Sequence, residues 1–100
     1  MAERVEVNYD DLERIRSTFN QQSQEIQNML RRISSQVDGL RGGGWIGRGA
    51  DAFYAEMDNE ILPALQRLIR ALEEADRVVS QIMAEFRRAE EESRSVWEPF

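Results

Sequence analysis

The chain of 100 residues has no cysteine, no histidine and no lysine. Without the first two there are no disulfides, thiol nucleophiles, zinc sites built on sulfur or imidazole, or histidine acid–base steps. All thirteen basic residues are arginines, scattered among nineteen acids, and the formal net charge is -6. Such a chain lacks the basic patch that neutralises phosphates, so no nucleic-acid partner is expected. No stretch approaches the roughly 20 apolar residues of a spanning helix. The lead-in from Met1 to Val7 holds two acids and no apolar run, so no cleavable secretory signal is expected. Proline occurs only at Pro63 and Pro99. Acid pairs such as Asp10/Asp11 and Glu73/Glu74 have no nucleophile or ligand cluster beside them and read as solvated helix faces. Gly42-Gly43-Gly44 lacks the Lys-Ser/Thr ending and the preceding strand of a phosphate loop. No enzyme activity, metal or cofactor is expected.

What glycine there is lies in one place. All six glycines fall between Gly39 and Gly49, near the midpoint, and Trp45 stands among them. Glycine weakens helices and opens backbone angles closed to other residues. The segment must therefore break the helices on either side and let the chain reverse. A turn needs no tryptophan, so Trp45 is there to be packed upon, by its own helices or by a partner.

The flanks read as two helices. Asn8 is a suitable N-cap, and Asp10, Asp11 and Glu13 in the first turn meet the positive end of the helix dipole. Helix 1 is expected over about 9–38, with Gly39 as its C-terminal stop. Leu12, Phe19, Ile26, Ile33 and Leu40 recur in sevens. Ile15 and Met29 hold the complementary position, and Gln22 and Gln36 interrupt it. Helix 2 is expected over about 51–93, with Asp51 as a candidate cap. Ile61, Leu65, Leu68, Leu72, Ala75, Val79, Ile82, Phe86 and Ala89 alternate in steps of four and three. These seams are expected to close on each other. Leu30, Val37, Leu62, Ile69, Val78 and Met83 form shoulders left facing water, to be covered by a second hairpin. Around Pro63 the apolar phase stutters. A kinked continuous helix is expected, the alternative being a short separate helix before Pro63. The acidic run Glu90–Glu92 and Pro99 should fray the end into a tail over 94–100, with Val96, Trp97 and Phe100 available for docking.

Trp45-Ile46-Gly47 is a Trp-x-Gly tripeptide at the only glycine-rich break between two heptad arrays. Over nearly its whole length the chain resembles the WXG100 family, the ESAT-6-like small proteins exported by type VII secretion systems. The resemblance implies an all-α antiparallel helix–turn–helix hairpin, a single domain over 1–100, dimerising into a four-helix bundle. The seam of core and dimer would comprise Leu12, Ile15, Phe19, Ile26, Met29, Ile33, Leu65, Leu68, Leu72, Val79 and Ile82. It implies as partners a second copy or a paralogous family member, and the type VII secretion ATPase. It implies secretion without a cleavable signal from a cytoplasmic pool, with membrane binding disfavoured by the acidic balance. It further implies a composite export signal made of Trp45 and Gly47 with a Tyr-x-x-x-Asp/Glu motif near the end of helix 2. Phe86-Arg87-Arg88-Ala89-Glu90 holds that place, with phenylalanine where the family has tyrosine. Each half also has a plain reading: Trp45 caps a bundle end, Phe86 belongs to the seam and Glu90 to the solvated face. Tyr54-Ala-Glu-Met-Asp58 fits the motif literally but lies beside the turn and reads as coincidence. Two other functions compete: a cytoplasmic adaptor pairing with a larger secreted effector, and a membrane-active secreted protein.

Overall fold

A computed structural model describes residues 7–97 of the chain, with side-chain exposure as far as Arg94. It is a two-armed hairpin: α1 spans Tyr9–Gly42, α2 Arg48–Glu56 and α3 Leu62–Trp97, with a π-helical turn at Met57–Ile61 joining α2 to α3. No strand occurs among the described residues. The arms lie against each other in a rod of 79 × 23 × 17 Å with a radius of gyration of 22.8 Å. A compact globule of this length would have a radius near 13 Å.

Asn8 caps α1 as expected, its side chain accepting from the Asp11 backbone N–H at 3.1 Å. The helix does not stop at Gly39. It runs on to Gly42, because a lone glycine weakens a helix without ending it. The reversal comes at Gly44, whose φ of +86° is open to glycine, and the Trp45 N–H turns back to the Leu40 carbonyl at 3.2 Å. This is the six-to-one bond of a Schellman termination. The second arm begins after Gly47, not at Asp51, which lies inside the first turn. It remains helical through Trp97, so the expected tail from residue 94 is helix for at least its first four residues. The docking role expected of Val96, Trp97 and Phe100 lies outside the described side chains.

Pro63 lies within one continuous run of helical backbone from Arg48 to Trp97, the first of the two arrangements expected. In a regular α-helix its ring would meet the carbonyl of Asn59 and leave that carbonyl unpaired. Here the turn just before it is widened, with the Leu62 N–H bonding five residues back to Met57. The wide turn also explains the stutter in apolar phase. Met57 and Ile69 are both buried. In an unbroken α-helix their twelve-residue separation would set them about 120° apart, and absorbing one residue in a π turn reduces that to about 20°.

The hairpin closes on the other stripe from the one expected. Ser23 and Val37 of α1, and Ile69 and Met83 of α3, are among the six described residues less than a tenth exposed. With Tyr9, Arg16 and Leu30, and with Leu62, Asp76 and Glu90, they form two series in steps of seven, one on each arm. Arg16 crosses from the first series to Asp76 in the second at 2.9 Å, and both side chains are largely covered. That bond outweighs the burial opposing it and raises the Arg16 pKa. The expected seam thus divides. Leu12, Phe19, Ile26, Ile33, Leu65, Leu72 and Val79 are half-buried along the groove. Ile15, Met29, Leu68 and Ile82 stand 37–44% exposed. Of the expected shoulders, Val37, Ile69 and Met83 are inside, Leu30 and Leu62 are half-buried, and only Val78 is exposed.

Candidate functional site

The turn between the arms is an ordered tip. Trp45 packs against Phe53 and Tyr54, with ring centroids 5.4 and 5.6 Å away, and Phe53 and Tyr54 lie 5.9 Å apart. The Tyr54 hydroxyl donates to the Trp45 carbonyl at 2.9 Å. The Arg41 guanidinium, in the last turn of α1, stacks over the Tyr54 ring at 4.7 Å and reaches the Asp58 carboxylate at 2.9 Å. Cation–π and ion-pair contacts at exposed sites are individually modest. Together they tie the end of α1, the turn and the π turn into one unit. Tyr54 and Asp58 therefore act as a pair: their four-residue spacing puts both beneath Arg41.

Gly47 has φ +120° and ψ 178°, a region essentially restricted to glycine. This accounts for the glycine of the tripeptide through the backbone. Ile46 is left 83% exposed and Trp45 43% exposed, so part of the indole faces outward.

The expected second element lies far along the hairpin. Phe86 is half-buried and Glu90 exposed on α3. Tyr9, at the start of α1, stands beside them, with the Arg87 guanidinium 4.9 Å over its ring. Burial first, then Glu90, raise the Tyr9 pKa, and Arg87 opposes them. About 63 Å of helix rise separates Arg48 from Glu90, so the two elements do not meet within one chain. Sequence reading assigned no role to Arg41 at the tip or to Tyr9 and Arg87 at the other end, and it set the Tyr54–Asp58 spacing aside as coincidence. For the tip, the Tyr54–Asp58 spacing was the available signal. For Tyr9 there was none, because its neighbours come from the opposite end of the chain.

Nothing else among the described residues offers a reaction centre. No group of three or more acids is placed to hold a metal ion, and no helix is long and apolar enough to cross a membrane. A shallow depression on the outer side of α3, lined by Arg67, Arg70, Glu73, Glu74 and Arg77, is open to solvent and built on a single helix.

The family model described as "Proteins of 100 residues with WXG" matches residues 4–91. The chain belongs to the WXG100 family. Its members are small helical proteins associated with type VII secretion; they generally form dimers with each other, and the family is not one of enzymes. No curated protein and no solved structure matches this WXG100 chain.

Proposed function

We propose that this WXG100 protein is a non-enzymatic substrate of a type VII secretion system, exported as a folded dimer of hairpins. Beyond family membership, one observation carries the reading. The Trp45–Gly47 tip and the Phe86–Glu90 segment occupy opposite regions of a 79 Å rod. Along one side of that rod runs an apolar face with no cover. Antiparallel pairing through this face sets the tip of one hairpin beside Phe86 and Glu90 of the other. Each end of the dimer then carries a complete two-part surface for the secretion ATPase to read. The partner is a second copy or a paralogue.

The test is export from the native organism, with a tag on the N-terminus, in strains with and without the type VII ATPase. A cytoplasmic protein serves as the lysis control. Wild-type protein is expected in the medium only when the ATPase works. Trp45→Ala removes a half-exposed ring from the tip while leaving the apolar side face untouched. It is expected to keep the dimer and lose export. Normal export of that variant would sink the recognition mechanism. If wild-type protein stays in the cell and copurifies in equal amount with a larger secreted effector, the adaptor reading replaces this one. The acidic balance weighs against membrane action, and unbroken dye-loaded vesicles at neutral and acidic pH would dismiss it.

A further inference from the structure

Among the described residues, the one buried side-chain polar atom without a hydrogen-bond partner is the hydroxyl of Tyr9. A buried hydroxyl left unpaired costs stability, and phenylalanine would fill the same space without that cost. A phenol kept in such a position calls for a group to bond with. The Tyr9 ring lies at the base of α1 beneath the Arg87 guanidinium, 4.9 Å away. Glu90 follows Arg87 by three residues, so both side chains project from the same side of α3. The Glu90 side chain is exposed and free to rotate. It is also near enough to act on the phenol, since it adds to the effect of burial in raising the Tyr9 pKa. A carboxylate is an acceptor with several lone-pair directions, and a phenol is a single donor. A bond between them would pair the phenol and orient the carboxylate.

We infer that Tyr9 is a positioning residue of the export surface, holding the Glu90 carboxylate through its hydroxyl so that Phe86 and Glu90 present one fixed arrangement. The inference rests on the proposed export function and deepens it. The surface is then drawn from both ends of the chain, on two helices, and exists only when the hairpin is folded. An isolated α3 carries Phe86, Arg87 and Glu90 but not the donor that orients the acid.

The experiment uses the full chain with Tyr9→Phe, Glu90→Gln and the double variant. Thermal unfolding and sedimentation are measured beside ATPase-dependent export. Tyr9→Phe removes one bond to an exposed carboxylate together with a buried hydroxyl, so the unfolding midpoint is expected to stay close to wild type, and the dimer intact. Export is expected to fall roughly tenfold to a hundredfold, the scale of one lost charge-assisted hydrogen bond. The double variant should export no worse than Glu90→Gln, because both changes break the same bond. A readout independent of export is the ionisation of the Tyr9 phenol, followed by NMR apart from Tyr54. It should move to lower pH in Glu90→Gln, as a neutral amide no longer opposes the phenolate. Wild-type export of Tyr9→Phe, or a Tyr9 titration indifferent to Glu90→Gln, overturns the inference. Wild-type protein that never leaves the cell overturns the export reading instead, and with it the role of Tyr9 in export. In that case the titration still distinguishes a Tyr9–Glu90 bond from none.

Discussion

Glycines at the turn divide into two kinds that sequence alone does not separate. Gly39 and Gly42 are helical residues of α1, while Gly44 and Gly47 hold positive φ. Their substitutions should therefore act with opposite sign. Gly39→Ala places a better helix former in α1, with open space around the added methyl group. It is expected to stabilise the hairpin by about 0.5–1 kcal/mol. Gly47→Ala also meets no neighbouring atom, but it must adopt backbone angles that side chains disfavour, at a cost of roughly 1–3 kcal/mol. Urea unfolding followed by circular dichroism measures both, and two shifts of the same sign would contradict the assignment. The same contrast shows what a tripeptide motif can reveal. Trp45 and Gly47 were legible as a turn from their place in the chain. The clamp around them was not, because Arg41, Tyr54 and Asp58 are ordinary helix residues until the arms are antiparallel. Only then does an arginine at the end of one helix meet an aromatic and an acid near the start of the other.

At the scale of the elements, the helices were legible and the side they turn inward was not. Counting apolar residues selects Leu12, Ile15, Phe19, Ile26, Met29 and Ile33 as the strongest stripe. The series that turns inward on α1 contains Tyr9, Arg16 and Ser23, and its counterpart on α3 contains Asp76. Three of them are bonded: Arg16 with Asp76 across the hairpin, and the Ser23 hydroxyl, which accepts from Gln27 at 3.0 Å. Hydrophobicity is thus a poor guide to this interface, because part of it is satisfied by charge. The π turn is the other feature that no count of heptads supplies, and it makes a specific demand. Pro63→Ala restores a backbone donor but leaves the spacing from Met57 to Ile69 unchanged, so the wide turn should persist. Deleting Asn59 together with Pro63→Ala removes the extra residue and returns a regular helix with the same buried face. Deleting Asn59 alone puts Pro63 into regular α-helix and should cost about 3 kcal/mol. Hydrogen exchange across residues 57–63 and thermal unfolding distinguish the three. A stable, regular helix from the single deletion would show that Pro63 does not need the wide turn.

The whole molecule has one interface made and one still open. Relative to the inward series, the exposed residues Ile15 and Met29 on α1 and Ile61, Leu68 and Ile82 on α3 are each rotated by about 100° in the same sense along their own helix. Because the arms are antiparallel, equal rotations in each helix's own frame bring both sets to the same face of the hairpin. The half-buried Leu12, Phe19, Ile26 and Ile33, with Leu65, Leu72, Val79 and Phe86, floor the groove between them. A second hairpin laid on this face completes a four-helix bundle. The two interfaces can be separated by substitution. Ile69→Ala, at a buried site within one hairpin, should cost about 2–4 kcal/mol at every protein concentration. Leu68→Asp combined with Ile82→Asp places acids on the open face, where a lone hairpin leaves both positions in water. This pair should preserve helix content and convert a dimer into a species of 11.6 kDa. Sedimentation equilibrium is the suitable measurement, since a 79 Å rod elutes from a sizing column earlier than its mass warrants. A wild-type protein that sediments as a monomer at micromolar concentration would remove the dimer. A double variant that remains dimeric would move the interface to another face, and with it the meeting of Trp45 and Glu90 on which the export reading depends.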